Sequence, residues 1–438
     1  MKQLTPIELR WVRLCSQSTV FFAMLIVASM MLSPFLLSVG IWGLLLAALW
    51  YSALLYRNEN GALPLKKPMA WLFILQRGFQ RLFQQRAYAL MLVLLLVPFV
   101  SGLWSDDTRY WLDRVRVRLP FLVLPFIFVN LPLLSRTQFR LVLYVLVWVL
   151  VLVCIGIGIH YFLNEDSILQ GIREGRPIPV PRQHIRFSLI LCTGIVAGAW
   201  LWIKRYVWHF TWERNVLGVA LMFLFFFQHF LAVRSGLAAL YAVLFFTLLR
   251  YMWNSKQWLV GLGALILFSS MLLAAVQFIP SLNQRLDYMV HDWHMFRNHA
   301  GQNYSDSERW VSLETGVELW KRAPLFGVGA GDLPMETNKL LAEEYPQYVE
   351  TPKLPHNQFI YLLAGTGIVG LVLSMIVFLY PMLVPEYRRF YPFLAHQVVI
   401  FMSFLVEYTI ETSIGVAFYL FFTHWYMNMA RAEAQATS

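Results

Sequence analysis

The sequence predicts an all-α polytopic integral membrane protein, a bundle of about 12 transmembrane helices carrying one long outer loop. Three observations support that class. Apolar residues make up 59% of the 438 residues and charged residues only 13%, whereas a soluble domain carries about 25% charged side chains. The apolar residues fall in runs close to the ~20 residues that a bilayer-spanning helix needs. Tryptophan (17) and tyrosine (20) are plentiful, as befits side chains that settle at the two water interfaces. Mean hydropathy, +0.58, agrees.

Charged residues bound each element in turn. Segment 17–34 follows Arg10 and Arg13, and only Ser33 and Pro34 divide it from 36–56, which closes on Arg57. The connection 57–86, with Gly61, Pro64, Lys66, Lys67 and a Gln/Arg-rich run to Arg86, predicts a basic amphipathic helix lying on the membrane surface. After 87–104 come Arg109, Arg114, Arg116 and Arg118, then a short fourth segment, 119–134. Arg136 and Arg140 introduce 139–163, while Arg173, Arg176, Arg182 and Arg186 separate it from 187–204. Arg214 precedes 215–233, Arg234 divides that segment from 236–252, and Lys256 precedes 257–279. A polar stretch from Ser281 to His356 interrupts the pattern before 357–384, 392–410 and 413–430. The chain therefore divides into 1–280 with nine helices, 281–356 as a helical outer loop, and 357–438 with the last three, all in one membrane domain.

Orientation follows from the short connections, whose Lys and Arg set topology while long loops count little. With the N- and C-termini inside, the inner connections hold Arg57, Lys66, Lys67, Arg77, Arg81, Arg86, Arg136, Arg140, Lys204, Arg205, Arg214, Arg250, Lys256, Arg388 and Arg389. Cys15, Cys154 and Cys192 lie in or beside apolar segments without metal-ligand spacing, so neither a disulfide framework nor a zinc site is expected. No small-residue cleavage site stands out near Cys15, and the first span is expected to remain as an anchor.

The outer face then carries arginines that the inside-positive bias does not explain. They are Arg109 to Arg118, Arg173 to Arg186, and Arg234, with no lysine among them. Arginine rather than lysine suits planar, bidentate recognition of phosphate oxygens; contact with lipid headgroups is the alternative for any single one. His356 closes the polar loop at the mouth of the next apolar segment, where an ionisable group is a functional candidate. Several arginines around one histidine suit a substrate with a phosphate leaving group. The guanidinium groups would neutralise the departing diphosphate, and a neutral imidazole would take a proton from an attacking hydroxyl. No carboxylate cluster stands out near them, so no metal is expected. His291, His294 and His299 lack strong zinc spacing. The run Gly327 to Gly331 lacks the Lys-Ser/Thr of a phosphate-binding loop and predicts a turn.

At these positions the chain resembles the O-antigen ligase and polymerase family of bacterial envelope glycosyltransferases. The likeness rests on the long late outer loop, Arg309 with Trp310, the turn Pro324-Leu325-Phe326-Gly327-Val328-Gly329, and His356-Asn357 followed by Gly367 and Gly370. It covers about residues 180–375. The ligase branch has a His-x10-Gly spacing, which His356 and Gly367 reproduce; the Arg-x10-Gly pairs of the polymerase branch are absent, which favours the ligase. The resemblance implies a GT-C-like enzyme of the bacterial inner membrane, acting on the periplasmic face without cofactor, metal or nucleic acid. Its donor would be an undecaprenyl-diphosphate-linked glycan held among membrane lipids, and its acceptor lipid A–core, with inversion at the anomeric carbon. His356 would be the general base; Arg186, Arg234 and Arg309 would bind the diphosphate; Arg182, His184 and Asn357 would be second-tier positions.

Other readings stay open in the sequence. His356-Asn357 would serve equally as the cap of the helix that follows. Glu407 and Glu411, one helical turn apart, would be either a relay or a solvated helix end. A polymerase or a protein O-oligosaccharyltransferase would use the same chemistry on another acceptor. A lipid-linked glycan transporter would instead carry ionisable residues near the midplane, and the largely uncharged spans argue for an enzyme.

Overall fold

The computed structural model describes residues 6–60, 68–173, 176–278, 290–295, 305–349 and 353–435, and all regular structure among them is helical. In chain order the helices are α1 (Pro6–Leu32), α2 (Pro34–Asn60), α3 (Pro68–Gln84), α4 (Arg86–Ala89), α5 (Val93–Ser101), α6 (Thr108–Arg118) and α7 (Pro120–Asn130). There follow α8 (Arg136–Leu163), α9 (Glu165–Arg173), α10 (His184–Ile203), α11 (Glu213–Leu231), α12 (Arg234–Ser255) and α13 (Trp258–Phe278). The late loop contributes α14 (Ser305–Arg322) and α15 (Leu333–Glu344). The chain closes with α16 (Gln358–Leu383), α17 (Pro385–Arg389), α18 (Tyr391–Val406) and α19 (Ser413–Gln435).

Among the described residues, seven helices are long and apolar enough to cross a membrane: α1, α2, α8, α10, α11, α12 and α16. The tally reaches eight if α3 and the helix from Arg86 to Ser101, bent by 102° at Gln85, form one broken span. Of the other segments expected among the twelve, the fourth, eleventh and twelfth differ in length or polarity. The fourth is the 11-residue α7, about 16 Å long against a hydrocarbon core of ~30 Å. The eleventh is the 16-residue α18. The ninth is the 21-residue α13, apolar over Trp258–Leu267 among its described side chains. The twelfth, α19, is buried from Gly415 to Met427, carries Thr423 and His424 in the core, and has a half-buried Asn428 that donates to the Phe128 carbonyl. Within the stretch 57–86, expected to hold an amphipathic helix, α3 buries Ala70, Ile74, Gly78 and Leu82 at every fourth position and packs on α7.

Local chemistry starts and stops these helices. Ser135 and Gln138 form a reciprocal capping box at α8, and Asp107 accepts from the Tyr110 amide to start α6. α10 lies at the centre, buried almost throughout from Ile185 to Leu201 and packed against α8, α11, α12 and α18. Basic side chains tie together one end of the bundle. There Arg250 donates to the carbonyls of Arg388 and Arg389, Arg431 to Gln85, and Arg81 to Asn130. The starts of α10, α12, α16 and α19 lie at the opposite end, where the polar loop is docked.

Candidate active site

His356 directly precedes α16, and the residue after it is the cap. The Asn357 side-chain oxygen accepts from the amides of Phe359 (2.9 Å) and Ile360 (3.2 Å), and its nitrogen donates to the Leu405 carbonyl (3.1 Å). Capping thus belongs to Asn357 alone, and its amide is committed to the backbone. The imidazole of His356 is left for other work. It sits 5.4 Å from the Tyr408 ring, centroid to centroid, and its Nδ1 lies 3.9 Å from Glu407 Oε1. That separation exceeds a hydrogen bond, and Nδ1 has no hydrogen-bond partner. Burial, with the positive charges of Arg309 and Lys353 acting in the same direction, lowers the His356 pKa to about 4. The ring is therefore neutral at physiological pH, and Glu407 faces a dipole rather than a cation.

Glu407 terminates α18 and is only 3% exposed. Its Oε1 accepts from Gln183 Nε2 at 3.3 Å, and its Oε2 lies 3.8 Å from Arg186 Nη2. Burial raises the pKa of its carboxyl, against the opposing pull of Arg186 and Arg309. The short loop that carries it is pinned four residues on. There Glu411 is buried against Arg118, accepts from Gln358 Nε2 (3.1 Å), and gives its carbonyl to Arg114 Nη1 (2.9 Å). The Ile410 amide returns to Gln358 Oε1 at 2.9 Å. Neither carboxylate is therefore a solvated helix end. Arg114 and Arg118, two of the surplus outer arginines, are spent on holding this loop.

The remaining candidates sort by position. Arg186 lies in the first turn of α10 and reaches Glu407. Arg309, on α14, lies close enough to act electrostatically on His184, His356 and Glu407 together. Arg182 is exposed, holds a left-handed φ of 68°, and donates to the Leu32 carbonyl at 3.4 Å. Arg234 opens α12 and is exposed. That helix runs beside α10, close enough that a Cβ on Gly236 would come within 2.4 Å of Ser188 Cβ. A small crevice adjoins Arg186 rather than His356. Arg182, Gln183 and Arg186 line its polar side, and Met30, Met31, Phe187, Ile190 and Ile414 line its apolar side. His291 and His294 belong to a short described stretch; His299 lies outside the described residues.

The loop turn and the glycines of α16 form one structural unit. Gly367 breaks α16 with φ 65° and ψ −170°. Into that break docks the turn Pro324–Gly329. Val328 and Gly329 donate to the carbonyls of Ala364 (2.9 Å) and Gly365 (3.1 Å), while Ile368 donates to Pro324 (2.9 Å) and Val369 to Leu325 (3.3 Å). A Cβ at Gly367 would stand 2.2 Å from the Leu325 carbonyl oxygen. A left-handed non-glycine residue costs roughly 1–2 kcal/mol before any clash. Gly367→Ala is therefore expected to destabilise the protein by more than about 2 kcal/mol, read as a lowered thermal unfolding midpoint in detergent. An unchanged midpoint would show that the turn yields freely.

Sequence reading identified His356 and the arginines but left the role of Glu407 undecided and did not single out Gln183, Gln358 or Tyr408. A carboxylate at the end of an apolar segment was the available signal. Its partners come from α10 and α16, far away in sequence.

The fold and this site define a multi-pass helical membrane protein with a half-buried His–carboxylate–Arg cluster, centred on the buried Glu407, at one end. Residues 217–375 match the model of the O-antigen ligase family. No curated protein matches the chain significantly. The matched segment holds Arg234, Arg309, His356, Asn357 and Gly367, whereas Arg182, His184, Arg186 and Glu407 lie outside it.

Proposed function

We propose that this protein is an O-antigen ligase, an inverting and metal-independent glycosyltransferase of the bacterial inner membrane. In this reading it moves a glycan from undecaprenyl diphosphate to lipid A–core on the periplasmic face, with both termini cytoplasmic. One observation carries the reading: a half-buried, neutral imidazole at His356, within the field of Arg309 and faced by a fixed carboxylate that Arg186 reaches from its other side. The match to the O-antigen ligase family over 217–375 supports it.

In the proposed reaction, Glu407 is the positioning residue: its charge, 3.9 Å from Nδ1, favours a proton on that nitrogen and leaves the Nε2 lone pair for chemistry. The acceptor hydroxyl loses its proton to Nε2, and its oxygen attacks the anomeric carbon opposite the diphosphate. The bond from that carbon to the phosphate oxygen breaks, and undecaprenyl diphosphate departs with the electron pair. Arg186, Arg234 and Arg309 stabilise the charge on the leaving group. The diphosphate would also counter the positive charges that depress the His356 pKa, since a nearby opposite charge favours the protonated form. The base would strengthen once the donor is bound.

Complementation is the decisive experiment, in hosts that make the matching repeat unit and lack either the ligase or the polymerase. A ladder restored on lipid A–core in the ligase-null host supports the proposal. Rescue of chain length alone, in the polymerase-null host, moves the acceptor to a lipid-linked repeat. Rescue in neither removes both readings. For the donor site, Arg186→Lys and Arg234→Lys keep the charge but lose the planar fork. Each is expected to raise the donor KM by roughly 10- to 100-fold, the worth of a charged hydrogen bond. Wild-type donor binding in both would assign the diphosphate elsewhere.

A further inference from the structure

The turn that docks into the break of α16 belongs to the polar loop, yet its outward face is apolar. Leu325 is 59% exposed and Phe326 56%. Beside them, just past the end of α5, stand Leu103 at 84% and Trp104 at 39%, the latter edge-on to Phe326 with ring centroids 5.9 Å apart. The four side chains make a continuous apolar surface on a segment that, by charge and position, would be assigned to water.

Three features say what covers it. First, the surface continues the outward faces of two membrane helices. Leu96, Phe99 and Val100 of α5 are exposed below it. On α16, Tyr361, Leu362 and Ala364 are at most 3% exposed above the break, whereas Ile368, Val369, Val372, Leu373 and Ile376 are each at least 37% exposed below it. The helix therefore changes from a protein-covered to an uncovered apolar surface at the level where Leu325 and Phe326 dock, about two turns inside its start. Second, the non-helical backbone here is paired. The turn donates to Ala364 and Gly365, and it accepts from Ile368 and Val369. Just after it, Ala330 and Gly331 donate to the hydroxyls of Ser101 and Ser105, and Asp332 takes the amides of Asp106 and Asp107. Irregular backbone is tolerated at membrane depth only when its polar groups are satisfied by protein. Third, a tryptophan at the rim is the side chain expected where hydrocarbon meets headgroups.

We propose that Leu325 and Phe326, with Leu103 and Trp104, form a membrane-inserted anchor that seats the outer loop in the adjoining lipid leaflet. Its occupant is the upper acyl region of bilayer lipid. The anchor does not depend on the proposed chemistry, since it arises from the backbone pairing and the exposed apolar faces alone. It would fix the height of α14 and α15 against the bilayer, and with them the height of Arg309.

The test places an environment-sensitive nitrobenzoxadiazole label on Phe326→Cys in the full chain, reconstituted in phosphatidylcholine vesicles. Asn338→Cys, on the exposed face of α15, is the aqueous control, and labelled wild type is the blank for the three buried native cysteines. Emission at position 326 is expected to be blue-shifted from the control and to lose more than half its intensity when the lipids carry bromines on the upper acyl chain. Leu325→Cys should behave alike, which guards against a local fault in one variant. Emission matching the control, with free reaction toward an impermeant maleimide, would overturn the anchor. Protection from maleimide without bromine quenching would overturn it too, and would assign the surface to protein, such as a second copy of the chain.

Discussion

His356→Ala is expected to abolish glycan transfer by purified protein in proteoliposomes while leaving the thermal unfolding midpoint unchanged. General base catalysis is worth about 10²–10⁴-fold, and the side chain makes no hydrogen bond through Nδ1 that the fold would miss. The pH profile provides a second signature. The base works when unprotonated, and its pKa in the empty site is lowered to about 4. Activity measured as kcat/KM should thus be flat through neutrality and fall only as pH drops through about 4, since that ratio reports the free enzyme. The acid limb of kcat should lie higher, because bound diphosphate favours the imidazolium. Glu407→Gln removes the negative charge facing Nδ1 and should lower kcat more than it changes KM. Turnover retained in His356→Ala would remove this residue from the mechanism, whatever the family match.

The second large effect is structural. Arg118 and Glu411 pair in the protein interior with side chains 2% and 1% exposed, and Arg118 Nη1 also donates to the Leu94 carbonyl at 2.9 Å. Removing one member leaves the other charge buried without its partner, which costs about 3–5 kcal/mol. Arg118→Met alone should therefore lower the unfolding midpoint sharply, and it should lower activity by releasing the loop that carries Glu407. The double variant Arg118→Met/Glu411→Gln should recover much of the loss, because replacing both charges of a buried pair is far milder than orphaning one. Strictly additive single and double effects would mean that the pair is not a coupled unit.

The membrane class was legible in composition, and the long spans in their hydropathy. The shorter elements were not, because α7 and α18 are apolar enough for a span and only their lengths in the fold distinguish them. α19 has the opposite problem: a central helix surrounded by protein tolerates His424 and Asn428, so its sequence understates how buried it is. At the site, His356 stood out because it closes a polar loop at an apolar boundary. Glu407 did not, since a lone carboxylate at a helix end is commonly solvated, and nothing local announces that Gln183 and Arg186 will enclose it. Arginine identity suggested phosphate for the whole outer set. The fold divides that set, committing Arg114 and Arg118 to Glu411, while Arg186 reaches Glu407 and Arg309 acts on the histidine.

The pairing of Arg118 with Glu411 also constrains biogenesis. The two residues are 293 positions apart, so a nascent chain carries an unmatched guanidinium until its last two helices have been inserted. Until then His356 also lacks its carboxylate, because Glu407 arrives with the same hairpin. A stalled or truncated chain would present a lone buried cation to membrane quality control and would have no working base, so degradation would be favoured just where premature activity is impossible.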